Sequence, residues 1–319
     1  MQDVKISIII PLYNEESVLP LLIVRVKELA GNFPEKIEIL LVDDGSMDRT
    51  TTIIEQLALT NEQFSAIILS RNFGHQAAIS AGLKEACGTD GVFIIDGDLQ
   101  DPPELLFKFY DHLQQGYEVI YGIRKKRKEG FLLRLCYLLF YRLLNKVSNI
   151  KIPLDSGDFC MISRRAVDIL NQMPEESRFL RGMRSWLGFS QIGVEYERDG
   201  RAAGSPKYNL SKLFSLAING LFNFTRVPIK FIFLIGLVSM VISSLYLLIA
   251  LIKKIFYGIQ PTGFTGLLST IVLLSGVQMV SLAIIGEYVS RVFFQTKDRP
   301  IYLIKKKIVG RQVNGSGLL

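Results

Sequence analysis

The sequence predicts an α/β fold: a mostly parallel, doubly wound sheet with helices on both faces. Four short apolar runs, rich in β-branched residues, alternate with helix-like stretches, and this order is typical of a parallel sheet. Each run ends in polar or charged residues, so the carboxyl ends of the four strands would face one crevice, where such sheets bind ligands. The four runs are residues 4–10, 37–42, 66–69 and 92–95.

The stretches between these runs predict the helices of the unit. The first helix ends at Leu29, the second covers residues 53–59, and the third is an alanine-rich segment over residues 76–86. A further strand is predicted over residues 119–122, where β-branched and aromatic residues return. The alternation of strand and helix is therefore clear up to this point of the chain.

Acidic residues follow two of the predicted strands. Asp96 and Asp98 come directly after one strand, with the amide of Gln100 nearby, and Asp43 and Asp44 end another. Oxygen ligands of this kind suit Mg²⁺ or Mn²⁺, which would in turn hold a diphosphate. The alternative is a turn in which the aspartates accept hydrogen bonds from backbone N–H groups. Because several strand ends are polar, a nucleotide site is the favoured interpretation.

Composition narrows the class of partner. The chain has 319 residues, a formal net charge of +7 and 49% hydrophobic residues, with a mean hydropathy of +0.29. A basic balance is compatible with nucleic acid, anionic lipid or phosphorylated substrates. The three cysteines form no C-x-x-C pair and there are only two histidines, so neither a disulfide framework nor a zinc site is indicated.

Two basic segments are predicted to lie on a membrane surface. The segments near residues 131–150 and 207–227 combine basic and amide side chains on one helical arc with Leu, Phe and Tyr elsewhere. That pattern is typical of helices that bind in the plane of the membrane interface. For the first segment, a core helix of the domain is the alternative, because Phe and Leu side chains interrupt its polar arc.

Two uncharged segments predict transmembrane helices. Residues 231–252 contain no charge and would extend about 33 Å as a helix, which is enough to cross a bilayer. The second span is placed at 264–286, and a basic tail over 291–319 indicates a cytoplasmic end. The predicted organisation is a cytoplasmic domain over 1–228, a transmembrane region over 229–290 and that tail.

Six motifs, in this order, make the sequence similar to a known family. They are I-P-L-Y-N-E (10–15), V-D-D-G-S-x-D-x-T (42–50), S-R-N-F-G (70–74), D-G-D-L-Q-D-P-P (96–103), S-G-D-F (156–159) and R-x-x-G-S-P-K-Y (201–208). The chain resembles the polyisoprenyl-phosphate glycosyltransferases of glycosyltransferase family 2, which include the dolichol-phosphate mannose synthases. It resembles most the bacterial members that have two C-terminal spans and glycosylate undecaprenyl phosphate. It departs from their pattern at Gly97, where the family usually has Ala, and at Pro206, where it usually has Ser.

The resemblance implies a GT-A fold, an inverting transfer and a divalent metal, Mg²⁺ or Mn²⁺. The nucleotide-sugar contacts that it implies are Pro11, Tyr13, Glu15, Asp43, Asp44 and Asp96. The implied metal ligands are Asp96, Asp98 and Gln100. The implied catalytic residues are Asp158, Asp98, Arg124 and Arg201. The residues expected to meet the lipid phosphate are Arg134, Arg201 and Lys207.

The role of Asp158 follows from the chemistry of the acceptor. In ordinary inverting transfer a carboxylate removes the proton of an acceptor hydroxyl group. A phosphate monoester has a second pKa of about 6 and is already largely ionised at neutral pH. Asp158 is therefore expected to position acceptor and sugar, while Arg134, Arg201 or neighbouring residues offset acceptor charge. Asp155 is the alternative carboxylate, and His75 is assigned no catalytic role.

The predicted function is transfer of a sugar, with UDP-glucose as the first choice of donor, to undecaprenyl phosphate at the cytoplasmic face of the inner membrane. Other UDP-hexoses, a modified aminoarabinose donor and GDP-mannose are the next choices. Both termini are predicted to be cytoplasmic, and the spans could associate with copies of themselves through Gly276, Ser281 and Gly286. A processive polysaccharide synthase and a nucleotide-sugar sensor without turnover are the alternatives. Nucleic acid is not expected as a partner, because no recognition motif is present.

Overall fold

A computed structural model describes residues 4–124, 156–176, 178–197, 227–257 and 263–315. The described residues divide into two compact units. The first unit contains the described residues up to 197 together with those from 299 onward, and the second contains 227–257 and 263–298. The predicted surface segment at 131–150 and nearly all of the one at 207–227 lie outside the described residues.

The described part of the first unit contains a nine-stranded sheet with six helices. The strands are β1 (Ile6–Leu12), β2 (Ile37–Asp43), β3 (Phe64–Leu69), β4 (Gly91–Ile94), β5 (Val119–Arg124), β6 (Ser156–Ser163), β7 (Gln191–Tyr196), β8 (Ile304–Val309) and β9 (Gln312–Gly315). The helices are α1 (Leu19–Asn32), α2 (Thr50–Thr60), α3 (His75–Glu85), α4 (Leu105–Gln114), α5 (Arg164–Gln172) and α6 (Leu180–Trp186). The strand order is β7-β5-β6-β4-β1-β2-β3-β8-β9.

The four central strands, β4-β1-β2-β3, are parallel, as the alternation of strand and helix predicts. Outside them β5 and β7 are also parallel, but the remaining strand pairs are antiparallel, so the prediction of a mostly parallel sheet is confirmed only in part. Strand β6 pairs antiparallel with both β4 and β5, and β8 pairs antiparallel with β3. Helices α1, α2 and α3 connect the four central strands in turn and impose their parallel direction, whereas the residues between β5 and β6, 125–155, lie outside the described part of the chain. The α/β class is confirmed, and the sheet is mixed.

Both faces of the central strands are buried, which explains their continuous apolar sequence. Side chains alternate between faces along a strand; Ile8 and Ile10 share one buried cluster with apolar residues of α1, α2 and α4. Ile9 points to the other face and is also fully buried, and α3 packs against β1 and β2. Helices therefore cover both faces of the sheet, as predicted.

Residues that the sequence assigns to a separate basic tail join this sheet. Strand β8 covers the edge of β3, and β9 pairs with β8, although no strand is predicted there. Ile308 is fully buried, Lys306 Nζ lies 2.8 Å from Glu55 Oε2, and Lys307 pairs with Glu85. Two of the lysines counted as a cytoplasmic signal thus form ion pairs with α2 and α3. The cytoplasmic location of the segment stays a prediction.

The described part of the second unit consists of two long helices in contact, α7 (Val227–Tyr257) and α8 (Phe264–Thr296). One stretch among the described residues, Leu274–Thr296, is long and apolar enough by length and composition to cross a membrane. The apolar stretch Phe231–Tyr246 is shorter. Both segments predicted to span are helical in the structure, and their passage through a bilayer stays a prediction.

Candidate active site

The end of β4 leads into a tight acidic turn. Asp96 lies two residues beyond the strand, and its Oδ1 atom is buried without a hydrogen-bond partner in the structure. Burial raises the pKa of Asp96 to about 6, with the positive charge of His75 opposing and neighbouring carboxylates adding to the rise. Asp98 Oδ1 accepts a hydrogen bond from the backbone N–H of Gln100 at 3.2 Å. Leu99, which lies between Asp98 and Gln100, is buried and has a φ of 55°. Residues other than Gly rarely adopt this backbone conformation.

This turn fits a divalent cation. A buried carboxylate oxygen without a hydrogen bond is costly unless a cation compensates it. Asp96 Oδ1 has no hydrogen-bond partner, and the His75 ring nitrogen lies 3.5 Å from it. Within the described ranges, no group of three or more His, Cys, Asp or Glu side chains is already arranged to hold a metal ion. Mg²⁺ commonly takes only one or two carboxylates and completes its shell with water and substrate phosphates. Asp96 and Asp98 could supply those carboxylates.

The turn also gives a structural reason for Gly97, where the family that the sequence resembles usually has Ala. A Cβ atom added at Gly97 would lie 2.7 Å from Leu12 Cδ2 and 3.2 Å from the carbonyl oxygen of Pro11. Leu12 is buried at the end of β1. Glycine therefore lets the turn between the two aspartates lie directly against β1, whereas alanine would require the Leu12 side chain to move.

Asp158 lies in β6 and is held by two helices. Arg181 of α6 donates from Nε to Oδ1 and from Nη2 to Oδ2, both at 3.0 Å. Gln76 of α3 donates to Oδ2 at 3.1 Å. Burial alone would raise the pKa of Asp158, but the charge of Arg181 and the contacts with His75 and Arg181 outweigh it and hold the pKa well below its usual range.

His75 connects the two acidic groups. Its Nε2 atom lies 3.5 Å from Asp96 Oδ1 and 3.5 Å from Asp158 Oδ2. Burial would lower the pKa of His75, but the interactions with both carboxylates raise it to about 9. The sequence interpretation assigns His75 no catalytic role, whereas the structure places it between the predicted metal-binding turn and Asp158. The sequence interpretation also missed Arg181 and Gln76, because both are distant from Asp158 in the chain.

Arg124 belongs to a second polar group at the end of β5. Its Nη2 atom lies 3.4 Å from Asp101 Oδ2, and its Nε donates to the hydroxyl oxygen of Tyr196 at 3.2 Å. The Tyr196 hydroxyl group donates to Asp101 Oδ1 at 2.5 Å. Sequence reasoning assigned no role to Asp101 or Tyr196, although Asp101 belongs to the quoted D-G-D-L-Q-D-P-P motif. These contacts fix the Arg124 side chain at the same end of the sheet.

The paired aspartates at the end of β2 accept hydrogen bonds from neighbouring loops and from α2. Asp43 accepts from the Thr51 hydroxyl group at 2.6 Å and from a backbone N–H of the following loop. Asp44 accepts from the backbone N–H groups of Phe73, at 2.7 Å, and Gly74, at 2.9 Å. Burial raises the pKa of Asp44 against the effect of these bonds. Both carboxylates thus stabilise the loops around the crevice, and their contact with a nucleoside stays a prediction.

The remaining predicted residues fall into two groups. Pro11 lies in β1, and Tyr13 and Glu15 follow in the loop at its carboxyl end, so these three share the sheet edge that carries Asp96. Their contact with a donor stays a prediction. The residues expected at the lipid phosphate lie outside the described part of the chain: Arg134, Arg201 and Lys207.

Comparison with known proteins identifies relatives along almost the whole chain. The model of the "Glycosyl transferase family 2" family matches residues 7–170. The glycosyltransferase YkcC of Bacillus subtilis is 40% identical over 306 residues, which are 96% of this chain and 94% of that protein. The bactoprenol glucosyl transferase of Shigella phage SfX is 38% identical over 304 residues, which are 95% of this chain and 99% of that protein.

Solved structures are more distantly similar. The glucosyl-3-phosphoglycerate synthase of Mycobacterium tuberculosis, in complex with Mn²⁺, UDP-glucose and phosphoglyceric acid, is 19% identical with a TM-score of 0.43. That likeness covers 67% of this chain and 76% of the other.

Proposed function

The chain belongs to glycosyltransferase family 2, and we propose that it transfers glucose from UDP-glucose to undecaprenyl phosphate at the cytoplasmic face of the membrane. The reaction would be inverting and would need Mg²⁺ or Mn²⁺. The similarity to bactoprenol glucosyl transferases over nearly the full length of both chains supports the acceptor and the sugar. The observation that carries the proposal is the buried Asp96 Oδ1 atom at the carboxyl end of the central strands, which has no hydrogen-bond partner and lies 3.5 Å from His75 Nε2.

In this proposal the acidic turn holds the donor. Asp96 and Asp98 would bind the divalent ion, and Gln100 is the third predicted ligand. When bound, the ion supplies positive charge that stabilises the leaving diphosphate. Arg124 would add a second positive charge for a phosphate group, and the Asp101 and Tyr196 contacts keep that charge in place.

Asp158 would position the reactants instead of removing a proton. A general base works best when its pKa is near the working pH, whereas the pKa of Asp158 is held well below its usual range. The phosphate acceptor is already ionised at neutral pH. In-line placement of acceptor and sugar is therefore the contribution expected of this side chain.

The role of Asp158 can be tested by replacing it with asparagine. Wild type and Asp158→Asn are compared at saturating acceptor across a pH series around neutrality. Positioning predicts a lower rate for the variant with the same pH dependence as wild type. If the wild-type rate follows one ionisation that the variant lacks, Asp158 acts as a base.

The overall proposal is tested with radiolabelled UDP-glucose and vesicles that contain undecaprenyl phosphate. We expect label in a single lipid-linked sugar, loss of that product with EDTA, and its recovery with Mg²⁺ or Mn²⁺. Asp96→Asn is the matched inactive control. Labelled polymer would indicate a processive synthase, and no labelled product from any nucleotide-sugar would indicate a sensor; either result contradicts the proposal. Product from GDP-mannose alone would reject only the donor.

A further inference from the structure

We propose that Arg181 is a positioning residue for the transfer reaction, because it fixes the orientation of the Asp158 carboxylate. This inference rests on the function proposed above. The planar guanidinium group of Arg181 meets both oxygens of Asp158, with Nε to Oδ1 and Nη2 to Oδ2 each at 3.0 Å. Two parallel bonds from one rigid group set the plane of the carboxylate as well as its distance.

A second contact, from a different helix, fixes the same carboxylate. Gln76 donates from Nε2 to Asp158 Oδ2 at 3.1 Å, and its Oε1 accepts from the backbone N–H of Leu180 at 3.0 Å. Leu180 begins the helix that carries Arg181. Gln76 therefore ties α3 to the start of α6, and the two helices hold Asp158 together. Asp158 is 6% exposed and Arg181 is 21% exposed, so water competes little for the carboxylate.

The geometry distinguishes Arg181 from a cation that only balances charge. Lysine would supply the same charge, but its ammonium group is a point donor and cannot form the two-bond fork. If orientation matters, Arg181→Lys should retain the charge and still lose activity. If Arg181 only stabilises the fold by pairing a buried carboxylate, activity should follow the amount of folded protein.

The experiment uses the full chain with UDP-glucose and vesicles that contain undecaprenyl phosphate. The variants are Arg181→Met, Arg181→Lys, Asp158→Asn and the double variant Arg181→Met with Asp158→Asn. We expect Arg181→Met to lower kcat by roughly 100-fold, with KM for UDP-glucose little changed, and Arg181→Lys to recover only part of the loss. The double variant should be no slower than Asp158→Asn, because Arg181 acts through Asp158.

The control is Arg165→Met, which removes another arginine from an ion pair, that with Glu118 at 3.2 Å; its side chain is 70% exposed. Arg165→Met should leave kcat unchanged. Binding of UDP, measured by isothermal titration calorimetry, and the circular dichroism spectrum report whether each variant binds nucleotide and is folded. Additive losses in the double variant, or a kcat for Arg181→Lys equal to that of wild type, would overturn the inference. Absence of labelled lipid with wild type would reject the proposed function itself.

Discussion

A substitution of Gly45 should disrupt the loops around the crevice. Gly45 follows Asp44 with a φ of +68°, and a Cβ atom there would lie 2.4 Å from the carbonyl carbon of Arg71 and 2.7 Å from the backbone nitrogen of Asn72. Both obstructing atoms are backbone, so no side chain can rotate away. The loop that must move is the one that Asp44 binds through the N–H groups of Phe73 and Gly74.

The expected loss of stability in Gly45→Ala has two parts. Alanine in the left-handed region costs about 1–2 kcal/mol relative to a residue without Cβ. Displacing the loop weakens hydrogen bonds to a charged group, which contribute about 1.5–3 kcal/mol. The sum is about 2.5–5 kcal/mol, and a unit of this size should lose about 2–4 °C of Tm for each kcal/mol.

Gly116→Ala is the matched control. Gly116 has a φ of +93°, but nothing lies within 4 Å of the position of its Cβ atom, so only the backbone cost of about 1–2 kcal/mol applies. Thermal unfolding of the full chain, followed by circular dichroism, should give a Tm for Gly45→Ala about 3–12 °C below that of Gly116→Ala. Equal Tm values for the two variants would refute the close-contact argument.

Three further predictions concern other parts of the first unit. Cys87 is exposed as a residue, but partial burial and the hydrogen bond of its thiol with Glu38 raise the pKa of that thiol to about 12. Iodoacetamide at pH 8 should therefore alkylate it roughly 1000-fold more slowly than an ordinary thiol, as measured by mass spectrometry. Glu38→Gln should speed the reaction, and a rate equal to that of glutathione would contradict the argument. Tyr196→Phe removes a donor from buried Asp101 and should cost about 1–3 kcal/mol and lower kcat, measured by Tm and by lipid labelling; an unchanged kcat would show that the contact does not serve the site. Ile308 of β8 is fully buried, so Ile308→Asp would bury a charge and should lower the free energy of unfolding by more than about 4 kcal/mol. Ile308→Val should lower it by only about 0.5–1.5 kcal/mol, and similar Tm values for the two variants would contradict the packing of β8.

The sequence predicted the central part of the fold because the information there is local. The β-branched runs that become β1 to β4 carry their own signal, and the helices between them impose parallel pairing. The antiparallel strands β6 and β8 could not be predicted in the same way. Their partners, β4 and β3, are distant in the chain, and the lysines of β8 have the composition of an exposed tail until Glu55 and Glu85 are placed beside them.

The candidate site shows the same division. Asp96 and Asp98 could be selected from the sequence because they follow directly after a predicted strand, whereas Asp158 was selected through the resemblance of its S-G-D-F motif to the family. Arg181 carries no such signal, and His75 and Gln76 only follow the S-R-N-F-G motif without belonging to it. The contacts of all three with the carboxylates depend on how α3 and α6 approach β6.

By itself, therefore, the sequence determined the α/β class, the strand ends that form the crevice and the acidic residues within it, because hydrophobic period and strand-end polarity are properties of neighbouring residues. Only the tertiary structure decided which cations face those acids. Arg181 pairs with Asp158, and Arg124 with Asp101, across long separations in the chain. Such pairs set charge and orientation at the site, and they exist only when the sheet and its helices have packed.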